Sequence, residues 1–197
     1  MATTASTIEI IHREHQALAA VLHAFRAIVA GIRDGRFEAD FKLLAAMIEY
    51  ITEVPEKVHH PKEDHYLFAK LAERSPDARA LIDELERQHC VGYEMTKELE
   101  HALVHYQGSG KAGFAQFDAV VARYLEFSWK HLNQEEGELM PLARKALSEE
   151  DWAEVDGAFS ANYDPWSGPE NEYANLFTKI VNMAPAPIGV GPSGQTS

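Results

Sequence analysis

Apolar residues recur at alternating steps of three and four along most of this chain, the period of helices with one buried face. The first seam runs Ile8, Ile11, Leu18, Leu22, Phe25, Val29 and Ile32, and predicts a helix over 7–33. Ser6-Thr7-Ile8-Glu9 has capping-box spacing at its start, and Gly31, Asp34 and Gly35 mark its exit. A second helix is expected from Asp40 to about Ala72, led by Phe41, Leu44, Ile48 and Ile51. Pro55 and Pro61 interrupt it. An interior proline removes a hydrogen bond and costs about 3 kcal/mol, so the pattern predicts a kink or two pieces.

Ser75-Pro76 opens the third helix, whose seam is Ile82, Leu85, Gly92, Thr96, Leu99, Leu103 and Tyr106 and whose end is Gly108-Ser109-Gly110. The fourth runs from about Ala112 to Leu147, with Phe117, Val121, Tyr124 and Leu142 inward. Two shorter helices, over 148–159 and 172–183, flank a turn-rich link at Asn162 to Pro169. Ala184 to Ser197 is rich in proline and glycine and reads as extended or disordered. No strand pattern emerges. The expectation is an all-α chain. An antiparallel up-down-up-down four-helix bundle occupies 7–147, a short C-terminal helical extension 148–183, and a tail 184–197.

The gaps in these seams are filled by polar residues. His15 lies between Ile11 and Leu18, and His89 between Leu85 and Gly92. His131 and Glu135 stand four apart on the fourth helix, and His59 and Glu63 repeat that spacing on the second. Residues four apart share a helical face, although with Pro61 between them His59 and Glu63 do so only if the turn is intact. In an up-down bundle, a rise of 1.5 Å per residue puts His15 roughly 12 Å and His89 roughly 20 Å from the shared end. Glu63 and His59 fall at roughly 12 and 18 Å, and Glu135 and His131 at roughly 18 and 24 Å. Within boundary error, all six reach one layer.

One seam histidine reads most simply as a hydrogen-bonded core residue. Four at one level with two carboxylates, each costing several kcal/mol to bury alone, point to a cation. Imidazole and carboxylate without thiolate suit iron, and also manganese, zinc or copper. Six ligands exceed one open tetrahedral zinc and suit two bridged metals with an open position. The order His before Glu also differs from the Glu-x-x-His of ferritin-like bundles. His60 and Asp64 repeat the spacing one position along and rank behind His59 and Glu63. Gly92, the next inward position after His89, leaves room beside the histidine. Glu136 and Glu138 read as a solvated face, Cys90 as a small buried side chain, and Tyr124 and Trp129 as core packing.

Composition narrows the partners. A net charge of −13 argues against a protein that tracks phosphates. No apolar run approaches the roughly 20 residues of a membrane span, and residues 1–15 lack the basic start and apolar core of a signal peptide. One cysteine, Cys90, excludes an intramolecular disulfide and a thiolate-rich zinc site, so the default setting is reducing and cytoplasmic.

Ile11-His12-Arg13-Glu14-His15, the run His59-His60-Pro61-Lys62-Glu63-Asp64 before Leu67-Phe68, Glu86-Arg87-Gln88-His89, and His131-x-x-x-Glu135-Glu136 before Met140-Pro141 together resemble hemerythrin-like (HHE cation-binding) domains. The resemblance covers about residues 7–147, and the tail around Asp164-Pro165 and Pro185 to Gly189 is similar to the C-terminal extension of some bacterial members. It implies a four-helix bundle with two iron ions per chain, oxo- or hydroxo-bridged, and two carboxylates as bridges. It implies metal ligands at His15, His59, Glu63, His89, His131 and Glu135, and a proline tolerated within the ligand helix.

One departure stands out. Respiratory members carry two histidines four apart on the third helix, whereas His89 here has Tyr93 at that distance. Tyr93, His12, His60 or solvent is left to fill the position. The expected role is binding or sensing of a diatomic ligand, oxygen or nitric oxide. The rivals are a di-iron oxidoreductase with an unknown redox partner, iron storage or donation, and a structural metal site in an interaction protein. Whether there is turnover stays open in the sequence.

Overall fold

The structure, a computed structural model, describes residues 6–159 and 172–191, and every regular element among the described residues is a helix. α1 spans Thr7–Arg33. The Ser6 amide donates to the Glu9 carboxylate at 3.2 Å, one half of the capping box. By length and composition α1 is apolar enough to cross a membrane, but its apolar side is turned to the protein interior. α2 begins at Phe41–Ile51, where the Asp40 carboxylate accepts from the amides of Lys42 at 2.9 Å and Leu43 at 3.1 Å.

At its prolines α2 does not separate into two helices; it widens. Thr52–His59 is π-helical, His60–Lys62 returns to α geometry, Glu63–Phe68 is again π-helical, and Ala69–Arg74 completes the rod. The His60 amide donates to the Pro55 carbonyl, five residues back, immediately before Pro61. α4 repeats the device. It runs Lys111–Gln134, widens at Glu135–Leu139 and continues as Met140–Ala146. There the Met140 amide donates to the Glu135 carbonyl, immediately before Pro141. In an α-helix a proline ring collides with the carbonyl four residues back. One extra residue in the turn moves that carbonyl aside, and such widened turns are frequent at functional sites.

The widened turn also shifts the inward register. Leu142, expected inside, is 36% exposed, and Leu139, Met140 and Ala143 take the buried face. α3 is Arg79–Ser109, preceded by a 3-10 turn at Pro76–Ala78. Every residue of its expected seam, from Ile82 to Tyr106, is buried.

α3 and α4 meet through Gly110, whose φ of +59° suits glycine, and then lie along each other. Gly113 permits that approach, because a Cβ there would stand 2.8 Å from the Tyr106 Cα and 3.1 Å from the His105 carbonyl oxygen. Gly113→Ala is expected to destabilise the protein by about 1–3 kcal/mol through overpacking, read as a lower urea midpoint with unchanged slope.

α5, Glu149–Phe159, rests on α1 and on the widened part of α2. Thr7 donates to Asp156 from its amide at 2.7 Å and its hydroxyl at 2.6 Å. Arg74 forks onto Asp151 at 2.8 and 2.7 Å, and with the Ser148 amide it holds that carboxyl well below its ordinary range. α6, Glu172–Met183, packs on α2 with Phe177 against Tyr50. Residues 184–191 fold back on α6, the Val190 amide donating to the Val181 carbonyl at 2.9 Å. The link expected at 162–169 and residues 192–197 lie outside the described residues.

α1 and α3 each touch both α2 and α4, so the four long helices close a ring. Their interior holds two apolar clusters. One includes Leu18, Phe25, Ile51, Leu99 and Tyr124, and the other Ile11, Leu67, Leu85, Leu139 and Phe159. Along α1 and α3 the chain passes from the second cluster to the first; along α2 and α4 it passes the other way. Between the clusters every one of the four helices carries buried histidine or glutamate.

Candidate metal centre

The four helices bring seven buried side chains into that layer. His15, His59, Glu63 and Glu135 each present one donor atom within 4.8 Å of the others, and His60, His89 and His131 do the same as a second group. The groups adjoin. Glu135 Oε1 lies 3.3 Å from His131 Nε2 and 3.4 Å from His89 Nε2, while its Oε2 lies 3.3 Å from His15 Nε2. Glu63 Oε2 is 3.3 Å from His59 Nε2 and 3.7 Å from His89 Nε2. Each carboxylate therefore faces both groups.

All six residues ranked first in the sequence are in the layer, and His60 is there with them. Treating His59 and His60 as competitors rested on α geometry, in which neighbours diverge by about 100°. The widened turn lets both face inward. Of the other candidates, Asp64 stands one step outside and accepts from His89 Nδ1 at 2.7 Å. His12 is exposed and lies 3.3 Å from Glu136. Tyr93 is 42% exposed, with the Lys97 ammonium over its ring. Cys90, expected to be buried, is exposed, since one residue past an inward histidine the helix has turned toward solvent.

Each histidine of the layer has a side-chain oxygen within hydrogen-bond distance of its Nδ1. The pairs are His15 with Glu136 at 2.8 Å, His59 with Glu14 at 2.6 Å, and His60 with Glu56 at 3.2 Å. His89 pairs with Asp64 at 2.7 Å and His131 with the Gln88 carbonyl at 3.1 Å. The Gln88 amide donates to Glu84 at 2.7 Å and Gln134 at 2.9 Å, which fixes its oxygen toward His131. A proton held on Nδ1 leaves the Nε2 lone pair as the donor, and carboxylate partners raise its basicity. Glu136, read from the sequence as solvated, is thus part of the frame, and Glu14, Glu56 and Gln88 were not singled out there. Glu56 stands four before His60, a signal the sequence does contain.

The metal-free electrostatics follow from this crowding. Burial disfavours a charge on His59, but Glu63 and Glu14 outweigh it and raise its pKa well above the ordinary value. Burial also opposes charge on His89, yet Asp64, Glu135 and Glu63 push it up to about 10. His60 and His131 go the other way. Burial, joined by the neighbouring histidines, holds His60 well below its ordinary value. His131 falls to about 4 through burial, which Glu135 only partly offsets. Burial raises the Glu63 carboxyl, but His59, His15 and His89 reverse the sign and lower it. Protons on His59 and His89 therefore neutralise the carboxylates when no metal does.

The residues fit a metal by three tests. Glu63 Oε1 and Oε2, Glu135 Oε2 and His131 Nε2 are buried without a hydrogen-bond partner, a costly condition for polar atoms unless a ligand satisfies them. His15 Nε2 and His59 Nε2 are 3.0 Å apart; bonds of about 2.1 Å to one ion put neighbouring donors about 3 Å apart. The donor set, imidazole and carboxylate without thiolate, belongs to iron, manganese, zinc or copper.

The model of one protein family, the hemerythrin HHE cation binding domain, matches residues 6–143. Searches of the curated proteins and of the solved structures found no match. The matched segment contains all seven inward side chains and ends before α5.

Proposed function

We propose a function from one premise: the chain belongs to the hemerythrin HHE cation-binding family. In this reading the four long helices form an antiparallel up-down-up-down bundle holding two bridged iron ions. His15 and His59 would hold one iron, and His60, His89 and His131 the other. Glu63 and Glu135, which face both groups, would be shared between them. α2 thereby supplies, through His60, the imidazole that the third helix lacks. The observation that carries the reading is the set of buried carboxylate and imidazole atoms, several of them without a hydrogen bond, aimed into one layer from four helices.

Bound iron would supply a coordination position for a diatomic ligand, oxygen or nitric oxide. His15 and His59, a group of two imidazoles rather than three, would leave the place for that ligand. The protein's own contribution is rigidity and dryness. Glu136 and Glu14 hold the two rings, and the apolar clusters on either side of the layer exclude water. A cytoplasmic location is part of the reading, because a lone thiol persists in a reducing compartment.

The test is visible absorption after anaerobic loading with ferrous iron, followed by oxygen and then azide. Charge-transfer bands that form with oxygen and move with azide are expected. A protein that stays colourless contradicts the reading, and sustained consumption of peroxide or nitric oxide above free-iron controls replaces it with an oxidoreductase.

A further inference from the structure

Gly92 is buried on α3, three residues beyond His89. A Cβ added there would stand 3.0 Å from Glu56 Oε1 and 3.3 Å from Phe127 Cε1. The space left by the missing side chain is therefore taken by the Glu56 carboxyl group. The other oxygen of that group, Oε2, faces His60 Nδ1 at 3.2 Å, and the Glu56 side chain is 3% exposed. His60 itself is stacked on His89, ring centroids 4.0 Å apart and planes 7° apart, so its ring has one in-plane freedom left. A half-turn of the ring about Cβ–Cγ keeps that plane, exchanges Nδ1 for Cδ2 and puts Cε1 where Nε2 stood. The Glu56 contact to Nδ1 distinguishes the two orientations.

We propose that Glu56 is the positioning residue that aims His60 at the metal layer, and that Gly92 is the socket admitting it. Four residues upstream of His60, Glu56 reaches its target along one face of the widened α2. Tyr93, at the position where a third-helix histidine would stand, points to solvent. α3 thus contributes a gap where it lacks a ligand, and α2 fills the gap with the support for its own second histidine. This rests on the two-metal reading, which assigns His60 to the centre, and goes beyond the ligand set to what orients one member.

The test uses the full chain and four variants: Glu56→Ala, Glu56→Gln, Gly92→Ala and the Glu56→Ala/Gly92→Ala pair. Affinity for the second ferrous iron is measured by anaerobic titration. Loss of an outer partner of a ligating histidine weakens metal binding about 10–100-fold, and that is the loss expected for Glu56→Ala. Glu56→Gln restores most of it, because the amide oxygen still accepts from Nδ1. Gly92→Ala weakens the second iron in the wild-type background and has little effect once Glu56 is alanine, the coupling expected of two residues that share one space. Equal effects of Gly92→Ala in both backgrounds, or wild-type affinity in Glu56→Ala, overturn the proposal.

A second readout needs no metal. At pH 9, ¹⁵N shifts of the His60 ring report a proton on Nδ1 in the wild type and a mixture of tautomers in Glu56→Ala. An unchanged tautomer overturns the positioning role. A wild-type chain that takes up fewer than two irons sinks the two-metal reading instead, and the tautomer measurement still decides Glu56.

Discussion

Replacing Glu135 by alanine is expected to abolish binding of both ions of the proposed centre, whereas replacing His131 by alanine is expected to leave one. The difference comes from geometry. Glu135 Oε1 faces His131 and His89 while Oε2 faces His15, so its carboxylate is common to both groups. His131 belongs to the three-histidine group alone. Losing a hydrogen-bond partner outside the ligand shell already weakens a metal about 10–100-fold, and losing a shared donor acts on two ions at once. Metal content after gel filtration is expected at about two per chain for the wild type, about one for His131→Ala and near zero for Glu135→Ala. The alanine leaves Glu63 as the one shared carboxylate beside the remaining histidines, so the folded state of the variant is checked by circular dichroism. Retention of one tightly held ion by Glu135→Ala would show that the carboxylate does not bridge.

Raising the pH is expected to widen the gap in melting temperature between loaded and metal-free protein. In the metal-free chain His89 is raised to about 10 and His59 well above its ordinary value, so both are protonated at neutral pH. A group whose folded pKa is raised lends stability that is complete below its unfolded value and is lost as the pH rises to its folded value. For His89 that window runs from about 6.5 to about 10. Each tenfold difference in proton affinity is worth about 1.4 kcal/mol, so the loss across the window reaches several kcal/mol. Metal acts with the opposite sign, because it binds neutral imidazole and must displace those protons.

At a thousandfold excess over the dissociation constant one metal adds about 4 kcal/mol, or roughly 8–16 °C for a chain of this size. Calorimetry at pH 6.5, 8 and 9.5 is expected to show the metal-free transition falling while the loaded one holds. Proton release on metal uptake should approach two per chain at pH 7. A gap that narrows with pH would mean that His59 and His89 are not the protonated pair.

The helices and most of the layer were legible in the sequence because both follow simple periods. His15 and His89 sit where an apolar residue was due, and the spacing of His131 with Glu135 survives in the structure because it precedes or begins the widened turn. His60 was not legible as a partner of His59. Adjacent residues diverge on an α-helix, and nothing in local pattern announces that a turn before proline will open to π geometry. The same shift hid the exposure of Leu142. Pro61 and Pro141, which look like breaks, each follow a five-residue hydrogen bond, from His60 to Pro55 and from Met140 to Glu135. The outer partners were hidden for another reason. Glu14 and Glu56 are glutamates beside or one turn from a histidine and Glu136 sits in an acidic run, common arrangements on solvated faces, and only the depth of each helix separates the two cases.

The central claim is that one layer of this protein holds two metal ions joined by Glu63 and Glu135. Mössbauer and electron paramagnetic resonance spectroscopy of protein loaded with ⁵⁷Fe and oxidised by oxygen tests it most directly. Two ferric ions per chain, coupled so that the resonance signal is silent, are the predicted result. One iron per chain with the signal of isolated high-spin ferric ion would contradict it.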